Sequence, residues 1–174
     1  MTSKTSPDRK GELASLRDFF AYNSFVRKKY AIVMGKLPGA TLTKDRGASH
    51  PSLLDIWTHI LDVDRSWLHA SETGEDLPAP EGLSVAQLRK FEKEVDEYIE
   101  SFMRRLKPKD LHKSFRLTTG DGSVLTFNLG ETLWHMIEEE LQHRGELNAL
   151  LWQDDIEPPI IDWFAWKRAA VSKK

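Results

Sequence analysis

The chain contains no cysteine among its 174 residues. Disulfide bonds, thiolate metal ligands and a cysteine nucleophile are therefore excluded, and a transition-metal site in this protein has to use His, Asp or Glu. Long apolar runs are absent too, since none approaches the roughly 20 residues of a membrane-spanning helix. The polar start, MTSKTSPDRKGE, lacks the apolar core of a secretory signal. We therefore expect a cytoplasmic protein that does not contact membranes.

A strong net charge is missing as well. The 25 Lys and Arg residues nearly balance the 27 Asp and Glu residues, which leaves a formal charge of -2. Such a balance does not attract nucleic acid or an acidic surface. Two basic runs, Arg27–Lys29 and Arg104–Lys113, come without an aromatic stacking platform or a DNA-binding motif. We expect them to be solvated faces, and we expect no nucleic-acid partner.

Length and composition favour one globular domain. Hydrophobic residues make up 40% of the chain and charged residues 30%, which is typical of a soluble protein with an ordinary core. Residues 1–10 are polar and predict a disordered lead-in. The single helical domain is therefore expected to span residues 11–174.

Four segments repeat apolar residues at helical spacing, which predicts four long helices. The first covers residues 12–36 and is followed by a connection at residues 40–48. The second starts at Ser52 and is followed by a loop at residues 71–82. The third starts at Ser84 and stops at Pro108, and the fourth covers residues 130–152. In the second and third, a serine followed three residues later by Asp55 or Gln87 predicts an N-cap. Each of the first three helices is expected to bury one stripe. The first contains Leu16, Phe20, Asn23, Arg27, Tyr30, Met34 and Leu37; the second contains Leu53, Ile56, Ile60, Val63 and Trp67; and the third contains Leu88, Phe91, Val95, Tyr98, Phe102 and Leu106.

A short β segment precedes the last long helix. Two β-prone runs in residues 114–128 flank Gly120-Asp121-Gly122, which predicts a hairpin. Asn128 then offers an N-cap for the helix that follows. After that helix, the stretch IIDWFAWKRAA predicts a short C-terminal helix packed through its two tryptophans. The chain is therefore predicted to be an all-α four-helix bundle with a small hairpin before the last long helix.

The last long helix carries the residues with the clearest chemical pattern. His135, Glu139 and His143 follow one another at i, i+4 spacing, so they lie on one face at successive turns. Glu139 and His143 are placed to hold one cation from adjacent turns. His135 and His143 are about 12 Å apart along the axis, so His135 needs another role. His59 lies on the inward side of the second helix, and bundle sites are built from such inward side chains.

These residues also carry a family resemblance. LRDFFAYNSFVRKKY, SLLDIWTHILDVDRSWL and LTFNLGETLWHMIEEELQHRGEL resemble the first, second and fourth helices of the DinB-like (DinB/YfiT) superfamily of metal-dependent enzymes. The likeness runs from about Leu16 to Trp163. It implies a helical bundle in which His59 is the first metal ligand and His143, in its H-R-G motif, the last. Relatives often carry His four residues before that motif, where this chain has Glu139.

A glutamate in the middle position gives a donor set of two His and one carboxylate, namely His59, Glu139 and His143. Zinc or nickel is the expected ion, and iron or manganese suits a carboxylate ligand as well. Three protein ligands leave positions open for water or substrate, which favours catalysis over a structural role. Alternatively, Glu139 marks a site that has lost its metal, and the histidines belong to an ordinary buried polar network.

The resemblance implies a small-molecule substrate, with a low-molecular-weight thiol and S-transfer as the expected chemistry. Metal-dependent hydrolysis is the competing enzymatic hypothesis. A non-catalytic homodimer that holds metal or a small ligand in a stress response is the alternative outside enzymes. The dimer itself is expected from the resemblance and from the many tryptophans.

Other residues near this pattern have less specific roles. We expect His135 to line the site, and Arg144 to pair with an acid inside the bundle. Glu138 and Glu140 point to either side of Glu139 and are poorer ligands. Three further groups are expected to be structural or solvated: Tyr22, Asn23 and Tyr30 as core residues with satisfied polar tips; Trp57, Trp67, Trp134 and Trp152 as core or subunit interface; His50, His69 and His112 as solvated side chains at element ends.

Overall fold

The computed structural model describes residues 9–171 and shows four long helices within that range. These are α1 (Arg9–Met34), α3 (Leu53–Thr73), α4 (Val85–Arg105) and α5 (Leu129–Gln153). The shorter elements are α2 (Gly39–Leu42), a 3-10 helix (Pro108–His112), strands β1 (Ser114–Thr118) and β2 (Val124–Asn128), and α6 (Trp163–Val171). The predicted helical bundle, with a hairpin before the last long helix and a short C-terminal helix, is confirmed.

Some boundaries differ from the sequence prediction. Helix α1 already contains Arg9 and Lys10, which were assigned to the lead-in, while the rest of the lead-in, residues 1–8, lies outside the described residues. Helix α3 continues into the predicted loop 71–82 and ends only at Gly74, whose left-handed φ of 77° closes the helix. The short helix α2 and the 3-10 helix were not predicted. Both are single turns, too short to show a periodic pattern.

Side-chain caps begin three of the long helices as the sequence predicts. The Ser52 hydroxyl accepts a hydrogen bond from the backbone N–H of Asp55 at 3.1 Å. Ser84 and Gln87 form a complete capping box, with the Ser84 hydroxyl accepting from the Gln87 N–H and the Gln87 Oε1 accepting from the Ser84 N–H. Asn128 caps α5 in the same way. Each cap satisfies backbone N–H groups that have no partner within the helix.

We expect Ser84→Ala to lower the free energy of unfolding by about 1 kcal/mol, because alanine cannot accept the orphan N–H bond. Urea denaturation followed by circular dichroism measures this loss. Ser84→Gly is the matched control and should lose only a few tenths of a kcal/mol. Equal losses for the two variants would contradict a capping role.

The core lies where the four long helices meet, and the stripe predicted for α1 is buried from Leu16 to Met34, including Asn23 and Arg27. Helix α4 is rotated from the prediction, since Glu92, Ile99 and Met103 are buried while Phe91 and Tyr98 are only partly covered. The Tyr98 hydroxyl donates to a Glu72 carboxylate at 2.7 Å, which keeps that ring at the surface. Within residues 9–171, no helix is long and apolar enough to cross a membrane.

The hairpin determines how α3 and α5 lie beside each other. Strands β1 and β2 pair antiparallel, and the Thr118 N–H donates to the Gly74 carbonyl at the end of α3. Helix α5 starts directly after β2, so it begins close to where α3 ends and the two helices run antiparallel. The first half of α3, which carries His59, therefore packs against the second half of α5, which carries His143.

Candidate metal centre

The three predicted ligands converge between α3 and α5. The Nε2 atoms of His59 and His143 are 3.1 Å apart. Oε2 of Glu139 lies 3.4 Å from the His143 Nε2 and 3.8 Å from the His59 Nε2. Ligand atoms that sit about 2.1 Å from one ion are about 3 to 4 Å from each other. The spacing of these three atoms therefore fits a single cation between them.

Glu146 holds the His143 ring from behind. Its Oε2 lies 2.9 Å from the His143 Nδ1. A proton on Nδ1, donated to this carboxylate, leaves Nε2 unprotonated and directed toward His59 and Glu139. Carboxylates that orient metal-binding imidazoles in this way raise the basicity of the ligand nitrogen. Glu146 follows His143 by three residues, so the pairing arises within one helix turn.

We expect Glu146→Ala to weaken metal binding by about 10-fold to 100-fold, because the His143 ring loses its orienting partner. Competition against a chromophoric chelator measures the dissociation constant. Glu97→Ala is the matched control, since Glu97 is an exposed carboxylate on α4 with its own nearby lysine. An affinity in Glu146→Ala equal to that of the control would show that the carboxylate does not support a ligand.

His50 is not solvated, in contrast to the sequence prediction. It is half-buried, and its ring stacks on His59 with centroids 4.1 Å apart and an interplanar angle of 24°. The His143 ring meets it edge-on at 5.0 Å. The candidate ligand atoms of His50, His59 and His143 all lie within 4.8 Å of one another. The sequence does not predict this contact, because His50 lies in the loop before α3, where no helical periodicity indicates which side chains face inward.

The environment favours the neutral imidazole at His50 and His59. Burial lowers the pKa of His59, and the neighbouring His50 and His143 rings lower it further against the opposing charge of Glu139. Burial and the His143 ring likewise lower the pKa of His50. Neutral imidazole is the form that binds metal ions, so both shifts favour metal binding by these two rings.

His135 lies at the exposed edge of the centre. Its Nε2 is 3.9 Å from Oε1 of Glu139, and its ring meets Trp67 edge-on at 5.6 Å. The side chain is 44% exposed and contacts the outer oxygen of Glu139. This position agrees with a lining residue, although candidate ligand atoms of His135, Glu138 and Glu139 also lie within 4.8 Å of one another.

Two clefts flank His59. One of about 350 Å³ extends from His50 and His59 to the loop at residues 79–83. The other, of about 250 Å³, runs along α3 past Trp67 to Leu117 of β1. A larger cavity of about 910 Å³ lies between α1 and α4, away from the histidines. The two smaller clefts are therefore the cavities that reach a predicted ligand, His59.

Glu140, which follows Glu139 on α5, belongs to a buried ion cluster. Arg27 is fully buried and donates to Asp64 at 2.9 Å, to Asp96 at 2.8 Å and to Glu140 at 2.7 Å. The prediction of a solvated face is therefore wrong for Arg27, although Lys28 is exposed. Burial raises the pKa of Asp64, Arg27 opposes that rise, and the nearby Glu140 and Asp96 carboxylates add to it.

The remaining predicted residues lie in the core or on the surface. Nη1 of Arg144 is 3.9 Å from Oε1 of Glu140, in agreement with the predicted pairing, and neither atom has a hydrogen-bond partner among the described residues. The Tyr30 hydroxyl donates to Asn148 at 2.5 Å, which is the satisfied polar tip expected of it. The amide of the buried Asn23 has no such partner within residues 9–171, so its polar tip is not satisfied as predicted.

The tryptophans divide between the interior and the surface. Trp57 is buried, and Trp163 of α6 stacks on Phe19 of α1 as predicted for the C-terminal helix. Trp152 is 59% exposed and Trp134 is 37% exposed. The subunit interface expected at these residues stays a prediction.

The protein is a helical bundle in which histidine and carboxylate side chains converge from two facing helices. The chain belongs to the DinB family, whose model matches residues 1–173. This confirms the family resemblance seen in the three helical segments.

Relatives with solved structures share the fold. A DinB-like protein from Bacillus cereus ATCC 10987, with a crystal structure at 2.01 Å resolution, superposes with a TM-score of 0.63 at 19% identity and covers 88% of this chain and 97% of its own. The DinB-like protein YjoA from Bacillus subtilis also reaches 0.63, at 15% identity, over 83% of this chain and 97% of its own. In sequence, the uncharacterized protein YizA of Bacillus subtilis strain 168 is 28% identical over 138 residues, which is 75% of this chain and 82% of YizA.

Proposed function

We propose that this protein is a metal-dependent enzyme whose divalent ion is held by His59, Glu139 and His143. The observation that carries the proposal is the convergence of three ligand atoms, with separations of 3.1, 3.4 and 3.8 Å, from two helices. Two imidazoles and one carboxylate form a donor set found for zinc, nickel, iron and manganese. The Glu146 carboxylate behind His143 supports the same interpretation.

The residues around the ion would have different roles. A bound ion supplies a Lewis acid that makes a coordinated water or thiol more nucleophilic. His143 keeps its Nδ1 proton on Glu146, so its Nε2 lone pair stays directed at the centre. His135 contacts the outer Glu139 oxygen at the exposed edge and is placed to accept or donate a proton there. The clefts on both sides of His59 offer space for a small substrate.

A thiol-dependent S-transfer is the reaction class that we propose, on the strength of the family resemblance. The two clefts beside His59 support it, because one would admit a thiol and the other its electrophile. Metal-assisted hydrolysis uses the same centre with water in place of the thiol. The two reactions differ in the nucleophile alone, so a turnover assay separates them.

The first test is metal content. Protein purified without a histidine tag should carry about one divalent ion per chain by mass spectrometry of the metals, or should bind zinc, nickel, manganese or iron in calorimetric titrations. Absence of both would overturn the proposal. Turnover of electrophiles that requires an added low-molecular-weight thiol supports S-transfer, and thiol-independent cleavage of esters or amides supports hydrolysis. Metal binding without turnover in either panel favours the non-catalytic, dimeric binding module.

A further inference from the structure

His50 occupies a position that the three ligands alone do not explain. Its ring lies against both ligand histidines, with centroid separations of 4.1 Å to His59 and 5.0 Å to His143, and those two are 4.5 Å apart. One candidate ligand atom from each of the three rings lies within 4.8 Å of the other two. The three rings therefore face a common region between the loop, α3 and α5.

The loop that carries His50 is fixed to the helix that carries His143. Arg46 has a side chain only 2% exposed, and it pairs with Asp154 at the C-terminal end of α5. Its guanidinium also donates to the Thr41 carbonyl at 2.7 Å. The Arg46 backbone N–H donates to the Pro51 carbonyl, directly after His50, at 2.8 Å. These bonds position the His50 ring from both sides of the loop.

A hydroxyl selects the nitrogen of His50 that faces the centre. Oγ of Ser49 lies 3.4 Å from the His50 Nδ1 and 3.5 Å from Oε2 of Glu146, the carboxylate that also orients His143. With Nδ1 turned toward Ser49, Nε2 is the atom available to an ion. The Glu146 carboxylate therefore contacts His143 directly and His50 through the Ser49 hydroxyl.

We propose that His50 is a fourth protein ligand of the ion held by His59, Glu139 and His143. This inference rests on the proposed function and extends it. Four protein donors complete the tetrahedron of zinc and close the site, whereas an ion with five or six ligands keeps positions open for substrate. At rest, zinc would therefore be bound by all four donors, and substrate would need a fifth position or the release of one ligand. His50 is the ligand we expect to be released, because it stands on a loop while the others stand on helices.

Zinc-loaded protein tests the ligand directly. X-ray absorption at the zinc edge counts coordinated imidazoles, and we expect three in the wild-type chain and two in His50→Ala. The zinc affinity of His50→Ala should fall by at least about 10-fold, the lower limit for losing even an outer-shell partner. His112→Ala is the matched control, because His112 is an exposed histidine outside the cluster, and it should keep both the wild-type count and the affinity.

The outcomes separate the two proposals. A wild-type chain that binds no zinc, nickel, manganese or iron overturns the proposed function, and the role of His50 with it. A wild-type chain that binds zinc through two imidazoles, with unchanged affinity in His50→Ala, overturns the role of His50 alone. Circular dichroism of His50→Ala should match the wild type, since the residue lies outside every helix and strand.

Discussion

His59→Ala and His143→Ala should each abolish stoichiometric binding of a divalent ion. Each substitution removes one of two imidazoles whose Nε2 atoms are 3.1 Å apart. Loss of an orienting partner alone costs about 10-fold to 100-fold in affinity, and loss of a ligand should exceed that range. Calorimetric titration of the apo-proteins with zinc and nickel measures the effect. Retention of wild-type affinity in both variants would show that the ligand assignment is wrong.

Substitutions of Glu139 test the carboxylate member of the same predicted donor set. Glu139→His restores the residue that relatives often carry at this position, and it should bind zinc at least as tightly as the wild type. Glu139→Gln keeps the shape but loses the charge, so its affinity should fall. His69→Ala controls for removal of a histidine elsewhere on α3 and should bind normally. Equal affinity in Glu139→Gln and the wild type would remove the carboxylate from the donor set.

Arg27→Met should destabilise the protein by about 3 to 5 kcal/mol, because it leaves the buried Asp64 carboxylate without its cation and leaves Glu140 with Arg144 alone, at 3.9 Å. Chemical denaturation measures the free energy of unfolding. Arg27→Lys keeps the positive charge but loses the planar guanidinium that reaches three acids. Its free energy of unfolding should therefore lie between those of the wild type and Arg27→Met. Lys28→Met changes an exposed neighbour on the same helix and should stay within about 0.5 kcal/mol of the wild type.

The deficit of Arg27→Met should grow as the pH rises. Burial raises the pKa of Asp64 above its unfolded value, and Arg27 opposes that rise. Without Arg27 the folded pKa climbs further, so the folded state holds a proton that the unfolded state releases. Stability is then retained below the unfolded pKa and lost as the pH rises through the folded pKa. A deficit that is larger at pH 5 than at pH 8 would contradict this linkage.

Local signals accounted for most of the fold. The serine caps at Ser52 and Ser84, the Gly120–Gly122 turn and the apolar stripe of α1 act over a few residues, so each is readable from the sequence. The sequence did not predict the rotation of α4 about its axis. Its inward face depends on which neighbours cover Glu92 and Ile99 and on the Glu72 carboxylate that holds Tyr98 outside.

The charge of Arg27 shows the same limit inside the core. Arg27 lies on the inward stripe of the first helix, but a basic residue followed by two lysines also has the local pattern of a solvated face. Its partners, Asp64 and Glu140, come from α3 and α5 and lie 37 and 113 residues away. Only packing of those helices brings in the carboxylates that make burial of the guanidinium tolerable.

By itself, the sequence predicted the helices, the hairpin and the family, and it proposed His59, Glu139 and His143 as candidate donors. The i, i+4 spacing on one helix and the inward face of another are local periodicities, and they carry that much of the site. Only the tertiary structure decided that the loop before α3 brings His50 onto His59. The physical reason is that a loop has no period, so its contacts exist only after the chain has closed on itself.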